Sequence, residues 1–319
     1  MKIKKTSLIF GISGQDGAYL SAFLLKKGYK VIGTTRNKSE NNLYRLKKLN
    51  ILNKVKIVKG EATNLKFCNK IIKKDLHEIY YLAGDSSVTR SFVAPEISLK
   101  SNGVGILNIL KTIKNKKNKI KVFNASSGQF FGDNKNNFFS LKSKIEPQSP
   151  YGIAKAVGYW YTKIYRERYN IYCCSGVLFN HESSLRAKGF VTKKIIDTAK
   201  KIKKNENIKL KLGNTNIYRD WGWAPEFVEA FWLMLQKKKP EDLIIGTGKT
   251  HSVQEFVDEV FKLAKIKKKN LIINVKNLKR KTDIRGYKAD IGLTKKKLKW
   301  KPKINFKKII YKMLNNELF

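Results

Sequence analysis

Thr6-Ser7-Leu8-Ile9-Phe10-Gly11-Ile12-Ser13-Gly14-Gln15-Asp16-Gly17, running on into Ala18 to Lys27, is the stretch whose reading decides the fold. Thr6 to Phe10 is a short buried-strand pattern, and Ala18 to Lys27 has helical periodicity. Between them Gly11, Gly14 and Gly17 form a Gly-x-x-Gly-x-x-Gly turn. Strand, glycine turn and helix together are the context in which such a turn holds a dinucleotide. The glycines let the backbone approach a pyrophosphate, and the helix N-terminus favours its charge. A glycine turn without a ligand is the simpler alternative. The position directly after a first strand favours binding.

Working outward, Lys30 to Thr34 reads as a second strand, Val55 to Lys59 as a third and Glu78 to Ala83 as a fourth. Helical patterns separate them, at Asn41 to Leu49 and Leu65 to Lys73. Ile97 to Lys114 reads as one long amphipathic helix, and Ile120 to Asn124 as the next strand. This alternation predicts an α/β fold with a doubly wound parallel sheet. Ligands on such sheets lie beyond the carboxyl ends of the strands. Gly60-Glu61-Ala62, Gly84-Asp85-Ser86-Ser87 and Ala125-Ser126-Ser127-Gly128-Gln129 all fall there. Arg36 follows the second strand, and no acidic residue closes that strand to hold a ribose 2′-hydroxyl. An arginine suits a 2′-phosphate, so the reading leans to NADP, with NAD possible.

Ser149-Pro150-Tyr151-Gly152-Ile153-Ala154-Lys155 carries the chemistry. Tyr151 and Lys155, four apart, share one helix face. A free phenol titrates near ~10, and a neighbouring ammonium lowers that value. Such a pair can pass a proton to or from a hydroxyl while a hydride moves. Many surface helices hold Tyr-x-x-x-Lys by chance, so the surrounding motifs matter.

Bulk properties narrow the classes. The 319 residues are 42% hydrophobic, enough for a real core. No apolar run is long enough to cross a membrane. The start is basic then apolar, but it runs into Gln15-Asp16, so a buried strand is a better reading than a signal peptide. Cys68, Cys173 and Cys174 make no disulfide framework, which fits a reducing cytoplasm. The net charge of +44 raises the question of nucleic acid. The lysines run from Lys2 to Lys312 without aromatic interleaving, so a lysine-biased composition is the reading and no nucleic-acid partner is expected. A positive field would still favour an anionic substrate. His77, His181 and His251 lack metal-ligand spacing, so no metal is expected, and His181 is read as ordering a loop. Trp221, Trp223 and Trp232 are read as core.

With these residues in view, the chain resembles the extended short-chain dehydrogenases/reductases, and within them the GDP-mannose 4,6-dehydratase family. The resemblance rests on Gly11 to Leu20, on Ser149 to Lys155 with Tyr159-Trp160 and Tyr165-Arg166-Glu167, and on three further pieces. These are Leu178-Phe179-Asn180-His181-Glu182-Ser183, Phe190-Val191-Thr192 and Arg219-Asp220-Trp221-Gly222. It implies that Gly11, Gly14, Gln15, Asp16 and Gly17 hold the dinucleotide, with Arg36 near its 2′-phosphate and Glu61 and Ala62 near its adenine. Tyr151 and Lys155 would be the hydride-transfer base and its partner. Ser127, where the family usually has Thr, would bond the sugar C4 oxygen. Asn180, Lys194, Arg219, Arg280 and Asp283 would hold a GDP-sugar, GDP-mannose above all. The implied activity is a lyase converting GDP-mannose to GDP-4-keto-6-deoxymannose. A homo-oligomer, dimer or tetramer, is implied too, with Ser184 to Gly189 at inter-subunit cofactor contacts.

Besides Ser127, the chain departs from the family in three places. Gln129 stands where the family has the Glu that removes the C5 proton, and an amide cannot do so. Glu61-Ala62 replaces Asp-Leu. Asp85 replaces a Gln and, with Arg90-Ser91, looks more like the matching loop of dTDP-glucose 4,6-dehydratases. Asp85 is therefore a candidate for the missing carboxylate. A GDP-sugar 4-keto reductase or C4 epimerase is the alternative enzyme, and a non-catalytic nucleotide or nucleic-acid binder the alternative class. The expected domains are a dinucleotide-binding part, 1–178 with a return segment at about 224–248, and a smaller discontinuous substrate lobe in 179–319.

Overall fold

The structure, a computed structural model, describes residues 5–133, 138–204, 207–267, 272–275 and 284–319. Its centre is a seven-stranded sheet. The strands are β1 (Thr6–Phe10), β2 (Lys30–Thr35), β3 (Lys56–Lys59), β4 (Glu78–Tyr81), β5 (Lys121–Ser127), β6 (Cys173–Leu178) and β7 (Leu243–Ile245). They pair in the order β7-β6-β5-β4-β1-β2-β3, all parallel. The chain winds outward from β1 to β3, then crosses to the other side of β1 to lay down β4. That reversal is where such sheets open a crevice for ligands.

The central strands are buried because both faces are covered. Side chains alternate along a strand, so neighbours serve different cores. Leu8, Phe10, Ile79 and Val122 pack with Ile106, Ile109, Leu110 and Ile113 on one face. Ile9, Tyr80 and Phe123 pack on the other with Leu20, Leu24, Phe227 and Phe231. The Phe123 and Phe231 rings stack at 4.6 Å. Cys173 and Cys174 fall to opposite faces by the same alternation, and all three cysteines are free and buried. A separate core joins the helices Val191–Lys203, Val253–Leu263 and Phe306–Leu314 around Trp221 and Trp223, both buried as expected.

The stretch read as one helix from 97 to 114 is broken. Helices Pro95–Leu99 and Gly105–Asn115 flank a wider turn at Lys100–Val104. The Asn102 amide donates to Ser98 O and to Asp85 O, both at 3.1 Å, and the Tyr81 hydroxyl donates to Ser101 O. Side chains thus draw this backbone toward the loop after β4, an effect that hydrophobic periodicity does not record. Widened turns of this kind concentrate at functional sites.

The helix Pro150–Tyr169 starts where its sequence says it should. The Ser149 side chain accepts from Gly152 N at 3.1 Å, and Pro150 takes the first position. In its last turn, Arg166 makes two bonds of 2.8 and 2.7 Å to Asp242, whose Oδ1 also accepts from Ser175 N at 2.7 Å. This pair binds the helix to β6 and to the entry of β7. Asp242→Ala leaves the guanidinium and the Ser175 N–H without their partner. We expect a loss of about 3–5 kcal/mol, measured as a lowered denaturant midpoint.

Candidate functional site

The glycine turn is built by close packing. Gly11 has φ +89°, and a Cβ there would lie 2.8 Å from Ala83 N. A Cβ on Gly17 would lie 2.2 Å from Gly11 O, so the helix Gln15–Lys26 sits directly on its own loop. Gly14 N donates to Gly11 O at 3.0 Å, and the helix begins at Gly14 without a side-chain cap. A helix start of this kind, beyond the end of β1, fits a pyrophosphate: N–H donors, positive dipole and no side chain in the way. Asn42 ties the turn to the end of β2, donating to Ser13 Oγ at 3.2 Å and Thr35 Oγ1 at 2.7 Å. Arg36 follows Thr35 and is exposed. After β3, Glu61 is exposed and Ala62 is buried, its carbonyl accepting from the Asn108 amide at 2.9 Å.

The side chains of Gln15 and Asp16 turn to a distant segment. Ser183 Oγ donates to Gln15 Oε1 at 2.8 Å, and the Gln15 amide donates to His181 O at 3.2 Å. Asp16 Oδ2 lies 2.9 Å from His181 Nε2, while His181 Nδ1 lies 2.8 Å from Phe179 O. A carbonyl and a carboxylate only accept, so this setting favours a proton on both ring nitrogens. Burial works against its charge, but Asp16 raises the His181 pKa above its ordinary value. Burial likewise works against Asp16, yet His181 holds its carboxyl at about 2. His181 thus orders this segment, through a partner 165 residues away.

Ser127 ends β5, and its Oγ accepts from Gln129 N at 3.3 Å. Gln129 is held against the Tyr151 helix: a Cβ on Gly152 would come 2.9 Å from Gln129 O. Tyr151 is buried, and its N–H donates to Ser91 Oγ at 3.1 Å. Lys155 Nζ donates to Ala125 O at 2.7 Å and lies 5.7 Å from the Tyr151 ring centre. Desolvation brings the Lys155 pKa down to about 8, although Asp16 pulls it the other way. Asp85, in the loop after β4, pairs with Arg90 at 3.2 Å and accepts from Ser87 N at 3.2 Å. Ser91 follows Arg90, so the Asp85 loop is bonded to the Tyr151 helix. Asn102 and the bond from Tyr151 N to Ser91 are the positioning features that sequence reading missed. Each acts through a contact between separate elements and has no local signature.

Asn180 lies in the strand Asn180–Glu182, paired with Trp221–Trp223. Arg219 is buried and donates to Tyr218 O at 2.7 Å and Ile284 O at 2.8 Å. Lys194 lies exposed on the helix Val191–Lys203. Arg280 and Asp283 lie outside the described residues. Among the described residues no group of three His, Cys, Asp or Glu could hold a metal, and no helix is long and apolar enough to cross a membrane.

The Asp16–His181 pair makes stability depend on pH in a stated direction. His181 has a raised folded pKa, so its contribution is complete below the ordinary value of 6.5 and is lost as pH climbs through the folded value. Asp16 has a depressed one, so its contribution holds above 3.8 and is lost as pH falls through about 2. Denaturant midpoints measured from pH 5.5 to 9 should fall on the alkaline side. His181→Phe removes the titrating group and should flatten that limb.

A family described as GDP-mannose 4,6 dehydratase matches residues 8–313. The GDP-mannose 4,6 dehydratase 1 of Arabidopsis thaliana is 38% identical over 100% of this chain and 91% of its own length. The GDP-mannose 4,6-dehydratase of Vibrio cholerae is 33% identical over 99% and 94%. Among solved structures, a dTDP-glucose 4,6-dehydratase from Bacillus anthracis in complex with NAD superposes with a TM-score of 0.85 at 22% identity, covering 98% of this chain and 96% of that one, a likeness of fold. With its turn, its Tyr-Lys helix and a match of this extent, the chain belongs to the GDP-mannose 4,6 dehydratase family.

Proposed function

We propose that this protein converts GDP-mannose to GDP-4-keto-6-deoxymannose, as a cytoplasmic lyase of deoxysugar and surface polysaccharide biosynthesis. The observation that carries the reading is the Tyr151–Lys155 turn set beside Ser127 at the end of β5, in a member of this family. Residues 1–178 with 224–248 take the dinucleotide in this reading, and 179–319 the sugar nucleotide. Gly11, Gly14, Gln15, Asp16 and Gly17 line the pyrophosphate, Arg36 meets the 2′-phosphate of NADP, and Glu61 and Ala62 lie toward the adenine. Asn180, Lys194 and Arg219 receive the GDP-sugar, together with Arg280 and Asp283.

A nicotinamide dinucleotide held by Gly11, Gly14 and Gly17 would supply the acceptor for the C4 hydride and its return to C6, with no net redox change. Ser127 orients the C4 hydroxyl and Tyr151 takes its proton. The Lys155 ammonium sits where it stabilises the charge that forms. The resulting ketone acidifies the C5 proton, and elimination then expels the C6 hydroxyl as water, which needs a base for that proton and an acid for the leaving hydroxyl. Gln129 has no carboxylate to offer. Asp85, in the loop after β4, the strand that pairs with β5 and its Ser127, is assigned the part of the base, with Arg90 holding the carboxylate in place.

A homodimer or tetramer is part of the reading. Ile153, Trp160 and Ile164 are exposed at 50%, 44% and 46% and share one face of the helix Pro150–Tyr169. Phe92 and Val93, on the helix Val88–Val93 that packs against it, are exposed as well. Apolar patches of this kind mark interaction sites.

Gln129 favours a second reading, a GDP-sugar 4-keto reductase or C4 epimerase, which needs no base at C5. Mass spectrometry of the products from GDP-mannose separates the two: loss of one water supports the dehydratase. NADPH consumption only with a 4-keto sugar supports the reductase. Tyr151→Phe should slow turnover by ~10²- to 10⁴-fold. Asp85→Asn should abolish water loss while sugar-dependent cofactor reduction survives. Equal loss of both steps rejects Asp85 as the base.

A further inference from the structure

Gln15-Asp16-Gly17 and Asn180-His181-Glu182-Ser183 meet through the Asp16–His181 contact at 2.9 Å and the Gln15–Ser183 bond at 2.8 Å. Asp16 is the second residue of the helix Gln15–Lys26. A carboxylate there suits the helix dipole, but it opposes any anion brought to the same N-terminus. A dinucleotide pyrophosphate carries two negative charges. Left alone, Asp16 would oppose the ligand this turn fits.

The structure surrounds Asp16 with compensation. His181 stands against it, in a setting that favours a proton on both nitrogens because Phe179 O takes the other N–H. The remaining charged groups near the pair are accounted for. Arg186 lies on the same segment as His181, is paired with buried Glu182 at 3.2 Å, and adds a weaker positive field at Asp16. From the helix Glu40–Lys48, Arg45 donates to Ser13 O at 3.0 Å and Leu185 O at 2.8 Å. Lys155, from the Tyr151 helix, acts on Asp16 at longer range. The helix Ala224–Gln236 contributes Phe227, an uncharged ring stacked on His181 at 4.6 Å. Among these groups His181 alone both touches Asp16 and loses its charge near neutral pH.

We propose that His181 is a positioning residue whose imidazolium cancels the Asp16 charge at the helix N-terminus, so that the turn accepts a dinucleotide pyrophosphate, and whose deprotonation weakens cofactor binding. The proposal rests on the dinucleotide reading above. It carries a reciprocal consequence. If the protonated ring favours the anion, the bound anion favours the protonated ring, and cofactor binding takes up protons. The same contact joins the cofactor turn to Asn180, so the nucleotide and sugar sides share one proton.

The test is titration calorimetry of the full chain with NADPH between about pH 6 and 9, in two buffers of different ionisation enthalpy. Wild-type protein should bind about tenfold more weakly at the alkaline end, the size of one pKa unit of coupling, and should take up protons on binding. In Asp16→Asn the uptake should shrink and the alkaline affinity should equal or exceed that of wild type. In His181→Gln, which keeps a hydrogen-bonding side chain but no titrating ring, affinity should be weak throughout and insensitive to pH. Any proton exchange by the cofactor's own 2′-phosphate is common to all three proteins, so the differences report His181. Equal proton uptake in wild type and variants overturns the proposal. So does a parallel loss of affinity at every pH in Asp16→Asn, which is what a merely structural contact gives. Should either variant fail to fold by circular dichroism, the other and the wild-type profile decide. A wild-type chain that binds neither NADPH nor NADH overturns the dinucleotide reading and this proposal with it. Normal binding without proton uptake overturns the proposal alone.

Discussion

A parallel sheet buried on both faces cannot be made of hairpins. Each strand must be followed by a crossover that returns the chain to the starting edge, and helices cover the faces as a result. All segments leaving the strands therefore emerge on one edge. In this chain that edge holds the glycine turn after β1, Arg36 after β2, Glu61 after β3, Asp85 after β4 and Ser127 with Gln129 at the end of β5. The alternate packing of Leu8, Ile9 and Phe10 into two cores holds β1 in place. The rest of the site depends on that register.

The second organising feature is the handling of charge close to the sheet. Among the described residues, several buried ionised groups there have a partner from another part of the chain. Asp16 meets His181, Asp242 meets Arg166, and the Lys155 ammonium is received by the Ala125 carbonyl. Asp220 is fully buried and accepts from Thr247 N, Thr247 Oγ1, Gly248 N and Ala289 N, while burial pushes its pKa up. A buried charge without such partners would cost several kcal/mol. These contacts carry specificity of arrangement: a carboxylate or ammonium at each point accepts one geometry of its neighbours. Against a net charge of +44, the few acidic groups gain weight as fixed points.

Much of the site was legible because its signals are local. Gly11, Gly14 and Gly17 declare a tight turn by their spacing, and Ser149-Pro150 declares a helix start by cap chemistry. Tyr151 and Lys155 declare a shared face by helical geometry alone. The break in the helix around Asn102 was not legible. Its cause is the Asn102 amide reaching Asp85 O and the Tyr81 hydroxyl reaching Ser101 O, contacts that periodicity cannot encode. Ser91 was noted only as part of the Asp85 loop, and its contact with Tyr151 N was not legible, since that bond exists only once two helices are packed.

By itself, then, the amino-acid order determined the parallel α/β class, the turn, the Tyr-Lys face and the absence of a glutamate at position 129. These follow from the period of side chains along a strand or helix and from the conformational freedom of glycine, which act over a few residues. Tertiary structure alone decided that Gln15 and Asp16 face Ser183 and His181. It also decided that His181 faces the Asp16 carboxylate, which favours its protonated ring, and that Asp85 stands paired with Arg90 in a loop bonded to the Tyr151 helix. Those outcomes depend on desolvation and on hydrogen bonds between segments as much as 168 residues apart, which come into being only when the sheet brings its strand ends to one edge.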